Sequence, residues 1–169
     1  MNAVIGIDAD SFQVAYAVLD PRQGGRAALV KTIPRKSDDG VIKHTYDERI
    51  DRLFDEARRI GASIYLEGIY LTERRHNTTR RNVQTFSVLA EVQGELKLIA
   101  RRKRVRLVPV RASAWHKAVL GFTTPRDALK AAAIAYAKKH SGKLTPTEHE
   151  SDAYCIARFA LQSSGLIAA

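Results

Sequence analysis

Acidic residues are in short supply in this chain: 18 Asp and Glu stand against 28 Lys and Arg, giving a net charge of +10 and an isoelectric point near 10.0. A surplus of that size points to polyanionic partners, with nucleic acid ahead of an anionic membrane surface. Cysteine occurs once, at Cys155, which excludes an internal disulfide framework and suits a reducing compartment. Flanked by Ala153, Tyr154, Ile156 and Ala157, it reads as a cysteine packed in a helix. Long apolar runs are missing, and the N-terminus has no basic region followed by an apolar segment. Neither export nor membrane insertion is therefore expected, and the chain reads as cytosolic. Internal repeats and low-complexity segments are missing too. The 169 residues fit one domain, 1–169, able to bury roughly 70% of its unfolded surface.

What is there begins with Val4-Ile5-Gly6-Ile7-Asp8, a short β-branched apolar run ending in a carboxylate, as expected of a buried strand. A turn at Ala9-Asp10-Ser11 leads to an alternating stretch, Phe12 to Leu19, and a further strand follows from Ala27 to Ile33. Short connections make these three an antiparallel meander. Tyr46 to Ile60 has Ile50, Leu53, Phe54 and Ala57 at helical spacing, with Gly61 as its stop. Ser63 to Leu66 is a fourth strand, ended by Glu67 as the first is by Asp8. A polar, arginine-laden loop from Thr72 to Asn82 precedes a helical pattern from Val83 to about Ala100. Gly94 in its middle costs about 1 kcal/mol relative to alanine and is expected to mark a close helix contact. Val105 to Val110 is a fifth strand, and Arg111–Leu120, Pro125–Lys139 and Pro146–Gln162 read as helices, with fraying expected after Ser163. The expected fold is α/β: a five-stranded mixed sheet, three antiparallel strands then two parallel, with helices on both faces. That order is also the order of the ribonuclease-H-like fold.

Thr145, Pro146 and Glu148 read as a capping box with proline at the first helical position. His149 and Asp152 then project from one face of the opening turns, Ile156 and Phe159 continue that side into the core, and Glu150 is expected to face solvent. Asp10 is taken as a turn residue on the face opposite Asp8. If this helix packs where Asp8 and Glu67 emerge, three carboxylates and an imidazole share one site. Two unit charges 4 Å apart repel by roughly 4 kcal/mol at an effective dielectric near 20, so such crowding demands a cation. Oxygen-rich ligands favour Mg2+ or Mn2+ over zinc, and such ions stabilise in-line displacement at phosphorus. In a basic chain, a phosphodiester is the natural occupant.

Ile5-Gly6-Ile7-Asp8, Tyr65-Leu66-Glu67 followed by Tyr70, the Asn82 to Gly94 segment with Gln93-Gly94, and His149-Glu150-Ser151-Asp152-Ala153 together resemble the RuvC family of Holliday-junction resolvases, from Val4 to about Ala160. The resemblance implies a bacterial or phage-derived homodimer that nicks two opposed strands of a four-way DNA junction symmetrically, with Mg2+ or Mn2+ and water as nucleophile, leaving ligatable ends. It makes Asp8, Glu67, His149 and Asp152 the catalytic and metal-binding set. His149 stands where some members have histidine and others aspartate, and its role as ligand or proton carrier stays open. Tyr70 holds the place of an aromatic that stacks on unpaired bases at the crossover; a strand-end tyrosine packing on the sheet is an equal alternative. Lys117, Arg126 and Lys130 lie on helices where the family keeps basic DNA contacts. Two departures stand out. Ala9-Asp10 replaces the Pro-Gly that often follows the first aspartate, and the loop after Glu67 is longer, with Arg74, Arg75, Arg80 and Arg81 placed to grip phosphates or enter the junction. Thr72 to Arg104 holds nine Lys and Arg against three Glu, although Arg101-Arg102-Lys103-Arg104 also suits a helix end. Trp115, beside His116, reads as core or rim.

Two other functions compete with a junction resolvase: a ribonuclease-H-like nuclease acting on RNA, hybrid or flap substrates, and a junction-binding protein without catalysis. An actin-like ATPase could share the Gly6-Ile7-Asp8 opening but would need a longer chain and a second phosphate loop. Within the resolvase reading, the long helix with Phe86, Leu89 and Gly94 is either the dimer seam, by the resemblance, or an ordinary core helix.

Overall fold

The side chains of Val4, Gly6 and Asp8 alternate with those of Ile5 and Ile7, and this two-residue period decides which carboxylate meets which helix. In a computed structural model, which describes residues 3–24, 26–37, 40–68 and 80–167 (without the side chains of 28, 44 and 80–85), Val4–Ala9 forms β1 at the centre of a five-stranded sheet. Gln13–Leu19 (β2) and Ala27–Pro34 (β3) continue on one side as antiparallel neighbours, and Ser63–Glu67 (β4) and Leu107–Val110 (β5) on the other as parallel ones. The order is β3-β2-β1-β4-β5, the mixed sheet expected from the alternation of elements. Parallel pairing of Ile7 with Leu66 puts Asp8 and Glu67 at the same end of two neighbouring strands.

Helices cover both faces. Ile5, Ile7, Ile64 and Leu66 pack on one face against Ile50 and Phe54 of α1 (His44–Arg59) and Val92 and Leu96 of α2 (Arg80–Lys103). Val4, Ala15, Ala17 and Leu19 pack on the other against Tyr154, Ala157 and Leu161 of α5 (Glu148–Ser163). α3 (Ala112–Trp115) runs into a π-helical turn at His116–Leu120, so the single helix expected from Arg111 to Leu120 is split. α4 (Arg126–His140) packs alongside α5. Cys155 is fully buried in α5, as its neighbours imply. No helix of the described residues is long and apolar enough to cross a membrane.

Gly6 has a packing reason. A Cβ there would lie 2.2 Å from the Ala153 carbonyl oxygen and 2.4 Å from the Ala157 nitrogen, so only glycine lets the backbone of α5 rest directly on β1. Gly94 has no such reason within the chain: a Cβ there would meet nothing within 4 Å, and the close helix contact expected at this position is not made. After Ser163 the chain does not fray at once, because the Leu166 N–H donates to the Leu161 carbonyl and Leu166 packs on the core.

The start of α5 lies two residues beyond the expected one. Thr147, not Thr145, is the N-cap; its Oγ1 accepts from the Glu150 N–H (3.2 Å), and Glu150 Oε2 accepts from the Thr147 N–H (2.9 Å). The threonine-x-x-glutamate pattern occurs in both registers, and the second wins because Glu150 is satisfied there. Far from facing solvent, it is 4% exposed, with Lys143 Nζ at 2.6 Å and Thr32 Oγ1 at 3.3 Å. Burying a carboxylate is tolerable only with such partners. Thr147→Ala is expected to cost about 1 kcal/mol, read as a lower urea midpoint; an unchanged midpoint would show that this cap does not hold the helix.

Candidate active site

On the α5 side of the sheet, the alternation that buries Val4 and Gly6 presents Asp8, and the one that buries Ile64 and Leu66 on the far face presents Glu67. α5 crosses them with its first turns, close because of Gly6. Asp8 Oδ2 lies 2.6 Å from His149 Nδ1. The other ring nitrogen, Nε2, lies 3.0 Å from Asp10 Oδ2. Asp10 also forms its expected turn, with Oδ1 accepting from the N–H groups of Phe12 (2.6 Å) and Gln13 (2.8 Å). Its expected orientation away from Asp8 is wrong: residues two apart share a face of a strand, and the chain turns just beyond, leaving Asp10 beside the imidazole.

Glu67 is anchored from β5's side. Its Oε2 accepts from Trp115 Nε1 at 2.8 Å, and its backbone carbonyl accepts from the Gln93 side chain. Trp115 is 1% exposed, so the core reading is correct but incomplete; a buried indole N–H needs an acceptor, and here the acceptor is a site carboxylate. Nothing in the spacing from Trp115 back to Glu67 reveals that pairing, which depends on β5 lying next to β4.

The charges in the site work against one another. Burial, with Asp8 adding repulsion and the Trp115 hydrogen bond opposing, raises the Glu67 carboxyl to about 7. Burial and the negative charges of Asp8 and Glu67 raise Asp152 to about 8. Hydrogen bonds donated by its ring nitrogens to Asp10 and Asp8 hold His149 protonated, up to about 10, despite its partial burial. For Asp10, burial is outweighed by the bonds to His149, Phe12 and Gln13, and its carboxyl sits below the usual range. Asp8, Glu67, His149 and Asp152 thus interact as one electrostatic unit, and Asp10 and Trp115 join it. The set suits a hard divalent ion by donor chemistry: carboxylate oxygens around an excess of negative charge, with one imidazolium opposing it. The oxygens are not preset as a cage, since among the described residues no three His, Cys, Asp or Glu side chains are grouped to hold a metal. Asp8 is engaged instead by His149.

This arrangement predicts how stability varies with pH when no metal is present. Glu67, Asp152 and His149 all bind protons more tightly in the native state, so the native protein carries more protons than the unfolded chain from about pH 4 to about pH 10. Stability from these groups therefore falls as pH rises through that window, while Asp10, lowered, contributes stability that is lost only in acid. Urea midpoints measured in chelator at pH 6 and pH 9 should fall, and Mg2+ should restore the loss. A flat profile with no response to Mg2+ would contradict the charge arrangement.

The expected DNA contacts divide. Tyr70, Arg74 and Arg75 lie outside the described residues, as do the side chains of Arg80 and Arg81, whose backbone opens α2. Lys117 lies exposed in the π-helical turn and Arg126 exposed at the start of α4. Lys130 is tied to Glu148 by an ion pair of 2.6 Å at the mouth of α5.

Sheet order, helix placement and strand-end carboxylates define a ribonuclease-H-like α/β fold. Within that class, the chain is similar to Thermus thermophilus RuvC. One structure of that protein, in complex with a Holliday junction substrate, matches at a TM-score of 0.69 with 15% identity over 97% of this chain and 95% of that one. A second structure of it matches at 0.67 with 16% identity over 96% of each chain. No protein-family model matches the sequence, and no curated protein matches it. At this identity, the likeness establishes the fold.

Proposed function

We propose that this chain is a structure-selective DNA endonuclease that resolves four-way junctions by hydrolysing phosphodiester bonds with Mg2+ or Mn2+, a homodimer making paired nicks. The observation that carries the reading is the mutual repulsion of Asp8, Glu67 and Asp152, from two parallel strands and one helix, with His149 bonded to Asp8, in a chain of net charge +10. The fold likeness to RuvC, whose structure holds a junction substrate, supports the choice of substrate. Asp8, Glu67 and Asp152 would hold the ion, which supplies Lewis-acid stabilisation of charge on the phosphoryl oxygens. In hydrolysis a water oxygen bonds to phosphorus and gives up a proton to solvent, the P–O bond to one neighbouring nucleotide breaks, and the departing oxygen takes a proton. His149, kept charged and oriented by Asp8 and Asp10, would hold or deliver that proton. Trp115 fixes one oxygen of Glu67 and leaves the other for the site.

A dimer seam is supported by α2. Ala90, Gly94 and Leu98 are exposed at four-residue spacing, with Leu98 68% exposed and Phe86 half-buried one turn earlier. This is a small and apolar stripe on one helix face, and it gives Gly94 a use between chains that it lacks within one. Exposed Lys117 and Arg126 would contact phosphates beside the site, with Arg74, Arg75, Arg80, Arg81 and Tyr70 reaching from the segment after β4. The test is a cleavage panel of labelled four-way junctions, flaps and RNA–DNA hybrids with and without Mg2+. Paired nicks in the junction alone are expected; preference for the hybrid or flap would reassign the substrate, and no cleavage of any would reject the nuclease.

A further inference from the structure

At the end of the sheet opposite Asp8, three elements bring positive charge together. β2 runs antiparallel to β1, with Leu19 beside Val4, so the connection leaving β2 lies at the end of the sheet opposite Asp8. There, Gln23, Gly24 and Arg26 face Lys139 and His140 at the end of α4, and Tyr154 and Arg158 of α5, around a cleft of about 310 Å³. Arg158 is six residues past Asp152, about 9 Å further along the helix. Among the described residues, no carboxylate pairs with Arg26, Lys139 or Arg158. Basic residues in the last turn of α4 complement the helix dipole, which accounts for Lys139 and His140. It does not account for Arg26 and Arg158, which come from other elements.

Arg158 is only partly satisfied. Its Nη1 donates to the Gly24 carbonyl at 3.1 Å, whereas its Nε is buried without a hydrogen-bond partner. Buried donors are rarely left unmatched, and a guanidinium is shaped to grip a tetrahedral oxyanion through paired N–H groups. We propose that this cleft is a phosphate-binding site, separate from the nuclease centre, in which Arg158, Arg26 and Lys139 hold the oxyanion with His140 at its rim. Burial and the charges of Lys139 and Arg158 disfavour the imidazolium of His140, an effect an anion in the cleft would reverse. The phosphate belongs either to a free phosphate compound or to the backbone of a DNA arm running past the catalytic face. The site goes beyond the nuclease reading and stands without it.

The test needs no cleavage. Inorganic phosphate, titrated against sodium chloride at matched ionic strength, should shift the amide resonances of Gly24, Arg26 and His140 saturably, and Arg26→Gln, an exposed change, should remove the response; Arg158→Gln should do the same. In parallel, duplex DNA binding is measured against salt. If the ligand is a DNA phosphate, Arg26→Gln should flatten the slope of log affinity on log salt by about 0.9, whereas Arg52→Gln, on the other face of the sheet, should not. Lost phosphate shifts with an unchanged slope assign the site to free phosphate. No saturable shifts together with an unchanged slope would overturn the proposal.

Discussion

Asp8→Asn is expected to lower the rate of junction nicking by more than roughly a hundredfold, beyond the 10–100-fold typical of removing an outer partner of a metal ligand, while junction affinity stays within about twofold. Asp8 is the hub of the site. Its Oδ2 is the hydrogen-bond partner of His149 Nδ1, and its charge is among the causes that raise both Glu67 and Asp152. The amide preserves shape and removes the charge, so the proposed divalent ion would lose a ligand and His149 would lose half of its clamp. Affinity should survive because junction phosphates would be held by the basic surplus spread over the surface, which a single neutralised aspartate does not reduce. Nicking and binding can be followed on one labelled junction, by gel and by anisotropy. Equal loss of both would mean that Asp8 shapes the fold and is not chemical; unchanged nicking would remove it from the mechanism.

Gly6→Ala is expected to destabilise the protein by at least about 3 kcal/mol, the upper end of ordinary overpacking, a large share of the roughly 5–15 kcal/mol that holds a domain together. The contacts that its Cβ would make, 2.2 Å to a carbonyl oxygen and 2.4 Å to an amide nitrogen of α5, are to backbone, which cannot rotate away as a side chain can. α5 would have to lift from β1, carrying His149 and Asp152 away from Asp8. The variant should therefore show a much lower urea midpoint and, under conditions where it still folds, weakened Mg2+ binding. A midpoint within about 0.5 kcal/mol of the parent, the range of ordinary surface changes, would mean that the strand and helix are not in contact at Gly6.

The strands were readable because β-branched runs are short and sharply ended, and the placement of Asp8, Glu67, His149 and Asp152 near one another because each lies towards a strand end or in the first turns of a helix. Register was not readable. Thr145 and Thr147 both satisfy the capping pattern, and only the tertiary partners of Glu150, Lys143 and Thr32, choose between them. Trp115 shows the same limit, since an indole declares that it needs an acceptor without naming it. Asp10 was within reach: a two-residue offset from Asp8 puts both on one face, and the turn it forms does not use its second oxygen. Gly6 and Gly94 look alike as glycines in regular elements, yet one is forced by a backbone 2.2 Å from a Cβ and the other faces open space. Sequence does not tell these apart.

Carboxylates from β1, β4 and α5 are proposed to share a divalent ion, and calorimetric titration of the purified protein with Mn2+ tests that most directly. Binding should release protons as His149 gives up Asp8, and should be lost or weakened more than about tenfold in each of Asp8→Asn, Glu67→Gln and Asp152→Asn. No binding by the parent protein, or binding that all three variants retain, would contradict it.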